Sequence, residues 1–355
     1  MTHLKRFQNG MAKGEAALIS SAQNQFYLSH FSYSDGYLLI LKTEAFLLTD
    51  FRYCEAALES ATEFTVLTPE KGLFSAVREL LLERGVTSLL LEENDLTLAD
   101  RDLLSEALPG VTLTGGASKI LTSLRLCKDE GELAAIRRAQ AITDRAFAHI
   151  LSVLRPDMTE VEVALELEFF MRREGSEGVA FDTIAVSGTA SSRPHGTPRN
   201  VPLEKGFLTM DFGARVEGYC SDMTRTVVLG KADADMKKLY RTVKEAQELA
   251  LVAAHEGASC RLLDLVAREH IEKAGYVGAF GHSLGHGVGI DIHEAPRLAR
   301  RAALSEVLLP GHVVTVEPGI YLEGKYGCRI EDMIAVLPDG RVENMTGSPK
   351  DLIEI

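Results

Sequence analysis

The chain is short of positive charge: 38 Lys and Arg stand against 51 Asp and Glu, a net charge of −13 over 355 residues. Nucleic acid and anionic membranes select basic surfaces, so neither is expected as the main partner. Long apolar runs are also missing. No stretch approaches the roughly 20 apolar residues of a membrane span. The opening segment, MTHLKRFQNGMAKGEAALIS, lacks the uninterrupted apolar core of a signal peptide. Cysteine is scarce, with Cys54, Cys127, Cys220, Cys260 and Cys328 scattered, odd in number and free of CxxC spacing. That argues against a disulfide framework and a cysteine-based metal site, and makes a reduced, cytoplasmic setting the expected one. Neither a low-complexity tract nor a short-period repeat is present.

What is present reads as a globular protein. Hydrophobic residues make up 46% and charged residues 25%, an ordinary balance for a packed soluble domain. Single cores stop growing near about 250–300 residues, so two domains are expected. The first part alternates. Residues 36–48 (GYLLILKTEAFLL) read as two buried strands around a polar turn, 73–84 as a helix and 88–92 (SLLLE) as a short strand. The pattern breaks at TGGAS (114–118), which places the boundary there: residues 1–118 and 119–355. A capping box at Asp129/Glu132 opens a long helix stopped by Pro156, and Thr159/Glu162 opens a second that closes at Gly175. Helices over about 233–256 and 261–274 follow. Strand-like runs cover 207–213, 219–229, 313–317 and 328–336. The second domain is therefore expected to be α+β, with helices on a mostly antiparallel sheet.

Two of these runs carry acids in a suggestive register. In FLTMDFGARVEGYCSDMTRTVV, a turn centred near Val216–Glu217 sets Asp211 directly opposite Asp222. A turn elsewhere leaves both aspartates solvated. In VVTVEPGIYLEGKYGCRIEDMIAV, a turn centred on Gly324 sets Glu317 opposite Glu331, within apolar strands. Facing carboxylates repel, and buried acids are costly without a partner, so two such hairpins point to cations. HSLGHGVGIDIHEAP adds His282, His286 and His293 among glycines that permit close backbone approach. The other histidines, such as His3, His149 and His312, read as ordinary surface or core residues. Four carboxylates balance two divalent ions. An oxygen-rich set with a single imidazole suits Mn2+ or Co2+ first, with Fe2+ and Zn2+ behind. Two ions about 3.5–4 Å apart can activate water and clamp a tetrahedral intermediate.

At these residues the sequence resembles the "pita-bread" metallopeptidases: aminopeptidase P, prolidase and methionine aminopeptidase. The segments SSRPHG, TMDFGARVEGYCSDMTRT, HSLGHGVGIDIHEAP, VTVEPGIY and CRIED carry the resemblance from about Leu121 onward. It implies Asp211, Asp222, His286, Glu317 and Glu331 as ligands of two metal ions, with Asp222 and Glu331 bridging. It implies Glu317 as general base and His195 and His293 as groups serving the oxyanion or scissile nitrogen. His282 would stand near a proline ring, and Arg297 near a substrate carboxylate, unless it belongs to a solvated basic cluster with Arg300 and Arg301. Arg329, on the strand face of Glu331, would orient that carboxylate; the alternative is an outward salt bridge. FYLSHFSYSDGYLLI and LLTDFRYCEAA resemble the family's creatinase-type α/β N-terminal domain. Methionine aminopeptidases generally lack that domain, so the resemblance implies hydrolysis of Xaa-Pro bonds in short proline-containing peptides, and a homodimer. ASSRPHG departs from the commoner, less basic form. The rival expectations are methionine aminopeptidase-like or broad aminopeptidase activity, and a non-enzymatic binding module on the same fold.

Overall fold

The computed structural model describes residues 1–355, which form two compact units, Met1–Arg125 and Leu126–Ile355. The expected boundary at 118/119 falls inside the helix Ala117–Leu126. That helix belongs to the first unit. Its Ala117 and Leu121 are buried, Ser118 receives a bond from the Asn94 N–H (3.1 Å), and Arg125 reaches Asn24 (2.9 Å). TGGAS breaks the pattern because the chain turns there from strand to helix, not because the domain ends.

The first unit is a six-stranded mixed sheet in the order Thr65–Leu67, Ala45–Thr49, Gly36–Leu41, Glu15–Ile19, Ser88–Leu91, Thr112–Gly115. The three middle strands Ala45–Thr49, Gly36–Leu41 and Glu15–Ile19 pair antiparallel; the outer ones pair parallel, through helical crossovers. Strands such as Leu38–Leu41 are buried on both faces, which explains why their sequence runs apolar without alternation.

The second unit is α+β, and its strand pairs are antiparallel. Both expected capping boxes are formed, at Asp129/Glu132 for Glu130–Val153 and Thr159/Glu162 for Glu160–Arg173. A second helix pair, Ala234–Ala253 and Cys260–Lys273, repeats the first; Cys260–Lys273 lies one hundred residues after Glu160–Arg173, with the same preceding turn. Each pair covers its own strands. The first packs on Leu208, Met210, Phe212 and Val227; the second packs on Val314, Val316, Ile320 and Ile334.

This layering points the acids. In Gly206–Phe212 the even residues Leu208, Met210 and Phe212 pack under the first helix pair. Alternation turns Thr209 and Asp211 to the opposite face. Across the pair, Met223, Val227 and Leu229 join the same helices, so Thr224 and Thr226 face with Asp211.

Candidate metal centre

The two hairpins differ in how they match their expected registers. The second is symmetric about Gly324 (φ 70°): Gly319 pairs Arg329, Val316 pairs Asp332, and Glu317 and Glu331 face each other in the gap between those strand pairs. The first is shifted. Its turn residues are Glu217 (φ 48°) and Gly218 (φ 76°), with Val216 paired to Tyr219. Two successive positive φ values fit the primed turn that matches strand twist. Asp211 consequently faces Thr224, and Asp222 lies diagonally from it in a break between Tyr219–Cys220 and Met223–Leu229. Diagonal neighbours stay within reach on one face. Gly213 permits the crossing: a Cβ there would lie 1.9 Å from the Ser221 carbonyl oxygen.

His286 sits in the short strand Gly285–Gly287. At Gly285 a Cβ would come within 2.0 Å of the Thr315 carbonyl oxygen, so only glycine lets this strand approach its neighbour. The imidazole contacts the Gly287 carbonyl through Nδ1 (3.1 Å) and turns Nε2 toward Asp222 (3.5 Å) and Glu317 (3.4 Å). A carbonyl on Nδ1 selects the tautomer whose Nε2 lone pair is free for a metal.

One cavity of about 380 Å3 is lined by Asp211, Asp222, His286, Glu317 and Glu331, and equally by His195, His282, His293, Arg297 and Arg329. The structure thus brings together every candidate residue from the sequence. Asp222, His286 and Glu331 hold ligand atoms within 4.8 Å of one another. Phe181, Ile184 and Ile292 supply the apolar wall, alongside Asp182, Pro194 and Ser283.

Electrostatically the cluster calls for cations. Burial, reinforced by the neighbouring carboxylates, raises Asp222 and Glu331 well above the ordinary carboxyl range. Burial also pushes Glu317 up to about 8, opposed by the Arg329 guanidinium. His286 is pushed down to about 4 and His282 to about 3, chiefly by burial, so both imidazoles are neutral at pH 7. Asp211 Oδ1 is buried without a hydrogen-bond partner. Three crowded acids, an orphaned carboxylate oxygen and a neutral imidazole fit hard divalent cations.

Arg329 is 3% exposed and is no outward salt bridge. Its Nη2 binds Asp211 (2.6 Å) and its Nη1 reaches the Tyr321 hydroxyl (2.7 Å). It meets Glu331 only indirectly: Nε donates to the Thr224 hydroxyl (2.9 Å), which donates to Glu331 Oε2 (2.7 Å). Sequence reasoning missed this threonine, together with Thr315, whose hydroxyl holds Glu317 (3.1 Å), and Tyr321, which contacts His282 Nε2 (2.9 Å). The only signal for Thr224 was its place on the face of Asp211. His293 stands against His286, ring centroids 4.4 Å apart, while His195 and Arg297 line the cavity from exposed positions.

Residues 134–338 match metallopeptidase family M24, and residues 4–127 match the creatinase/prolidase N-terminal domain. The chain belongs to family M24. It is a metallopeptidase-family chain with a creatinase-type domain preceding a pita-bread domain. It is similar to an Xaa-Pro dipeptidase from Bacillus anthracis (38% identity, 99% of each chain, TM-score 0.94). It is also similar to an X-Pro aminopeptidase from Thermotoga maritima (37% identity, 99% of this chain and 100% of that one, TM-score 0.92). An Xaa-Pro dipeptidase of Pyrococcus horikoshii is 34% identical over 342 residues, covering 96% of this chain and 94% of the other. No helix of this M24 chain is long and apolar enough to cross a membrane.

Proposed function

We propose that this M24 chain hydrolyses the peptide bond between an N-terminal residue and a following proline in short peptides, with two divalent ions, Mn2+ or Co2+ foremost. Asp211, Asp222, His286, Glu317 and Glu331 would hold them, and the ions would supply Lewis-acid activation of carbonyl and water there. The observation that carries this reading is the convergence of Asp211, Asp222, Glu317, Glu331 and the neutral His286 imidazole on a single cavity. The names borne by the Bacillus, Thermotoga and Pyrococcus relatives support the choice of bond.

When bound, such ions polarise the scissile carbonyl and acidify a water, bringing its pKa to about 7 in favourable sites. The chain's own residues do the rest. Glu317, steadied by Thr315, accepts the proton of the attacking water. His293 and His195 donate to the developing oxyanion or pass a proton to the leaving nitrogen. Proline's nitrogen offers no N–H, so selectivity must come from a pocket that accepts its ring. His282, tied to Tyr321, forms that wall with the apolar residues Phe181 and Ile292. Arg297 faces the cavity from an exposed position and is the group to meet a dipeptide's carboxylate.

A matched panel of Xaa-Pro, Xaa-Ala, Xaa-Pro-Yaa and Met-Ala-Yaa peptides tests the reading, with wild type and Arg297→Ala. The expected result is cleavage before proline, with Arg297→Ala losing dipeptide turnover more than tripeptide turnover. Preference for Met-Ala-Yaa over every proline peptide would overturn it in favour of methionine aminopeptidase-like activity. Broad cleavage without a proline preference would do the same in favour of a general aminopeptidase. Metal-loaded protein that cleaves nothing would leave a binding module.

A further inference from the structure

The helix Cys260–Lys273 carries a buried ion pair that the chemistry above does not use. Asp264 is fully buried and Arg268 is 9% exposed. The carboxylate takes Nε at 2.9 Å and Nη2 at 2.8 Å, a bidentate grip one helical turn apart. Desolvating such a pair is costly, so a buried pair is poor evidence for stability alone. The remaining bonding capacity of both partners goes to one five-residue segment. Arg268 Nη1 donates to the Phe280 carbonyl (2.6 Å) and Nη2 to the His282 carbonyl (2.8 Å), and Asp264 Oδ2 accepts the Leu284 N–H (3.0 Å). The three bonds fall on alternate residues of a segment that bends at His282 and Leu284, precedes Gly285–Gly287 and lies in no sheet. The guanidinium also stacks over the Phe280 ring at 4.3 Å, and Phe280 meets the His282 ring edge-on at 5.0 Å.

We propose that Arg268, gripped by Asp264, is a positioning residue: the pair supplies hydrogen bonds that no sheet gives this segment, fixes the bent stretch Phe280–Leu284 in place, and thereby sets His282 against Tyr321 at the cavity wall. The inference deepens the functional reading, resting on His282 as a substrate-facing group. A guanidinium is required because its planar fork reaches a carboxylate and two carbonyls at once. A lysine ammonium, a compact point charge, keeps the charge balance with Asp264 but cannot hold that planar geometry.

The test is Arg268→Lys, His282→Ala and the double variant, each loaded with Mn2+ and assayed on an Xaa-Pro dipeptide, with bound metal measured. Arg268→Lys should raise KM at least about fivefold at unchanged metal content, and the same change in the His282→Ala background should move KM less than about 1.5-fold, because one residue acts through the other. Histidine NMR on protein loaded with diamagnetic Zn2+ in place of Mn2+ provides a readout independent of turnover: the His282 ring resonances should shift in Arg268→Lys while those of His149 stay in place. A folded Arg268→Lys with wild-type KM and unmoved His282 signals would overturn the proposal, as would KM effects that multiply in the double variant. Should Arg268→Lys fail to fold, Asp264→Asn, which keeps an acceptor but loses the charge, carries the same readings. If wild type cleaves no proline peptide, the functional reading fails, and the NMR comparison still decides the clamp.

Discussion

Thr224 lies between the positive and negative parts of the centre. Its hydroxyl accepts from Arg329 and donates to Glu331, so one rotor orients both, while Arg225 beside it pins the Glu331 carbonyl (2.5 Å) and pairs with buried Asp332 (2.8 Å). Groups that orient ligands are worth about 10–100-fold in activity or metal affinity. Thr224→Val, nearly isosteric but without the hydroxyl, should keep bound metal and lose about 10–100-fold in kcat. Asp222→Asn should lose metal and activity together. Elemental analysis beside turnover checks the pair; a Thr224→Val enzyme of wild-type rate would remove the relay. At this scale the cavity's acids were legible because acids in apolar strands are conspicuous. Thr224 was not, since hydroxyls are ordinary in strands. Nor was Asp264–Arg268, because an i,i+4 pair on a helix normally belongs to a solvated face and only its burial says otherwise.

Among the elements, close approach of backbones decides where the cavity's acids fall. Gly213 lets the chain at Ser221 pass and deliver Asp222 diagonally to Asp211. Gly213→Ala would force backbone apart and should cost at least about 2 kcal/mol, with weakened metal binding. Denaturant unfolding of the metal-free protein reads the first, and a midpoint equal to wild type would contradict it. A second expectation concerns acid stability. Glu160 starts its helix fully buried; burial opposes its charge, but Arg199 and the N–H groups of Ser187 and Arg199 outweigh it and hold its carboxyl below the usual value. A depressed folded pKa stabilises above the unfolded value of about 4.3 and stops doing so as pH falls through the folded value. Stability should therefore drop more steeply below about pH 4.3 in wild type than in Glu160→Gln, and identical slopes would count against the assignment. The element pattern was largely legible: both capping boxes and the Gly324 hairpin follow from local chemistry. The first hairpin's register was not, because Val216–Glu217 and Glu217–Gly218 are both plausible turn centres by composition, and only the pairing of Val216 with Tyr219 separates them. That the helix Ala117–Leu126 packs with the first unit was not legible, because its partners, Asn94 and Asn24, are distant in sequence.

Over the whole molecule, two compact units each carry their own core, and the second folds as two similar helix-covered halves whose strands and connecting turns bring acids, histidines and two arginines to one cavity. That arrangement gives the charge argument its force. Of the four carboxylates gathered out of water, Asp211 is paired with Arg329, and the rest must be neutralised by protons or by cations; a metallopeptidase uses the cations. The most direct measurement is hydrolysis of an Xaa-Pro dipeptide by exhaustively chelated protein, titrated with Mn2+ while bound metal per chain is counted. Turnover absent without metal, rising with added Mn2+ and saturating near two ions per chain is the result this account predicts. Full turnover by protein shown to be metal-free would contradict it.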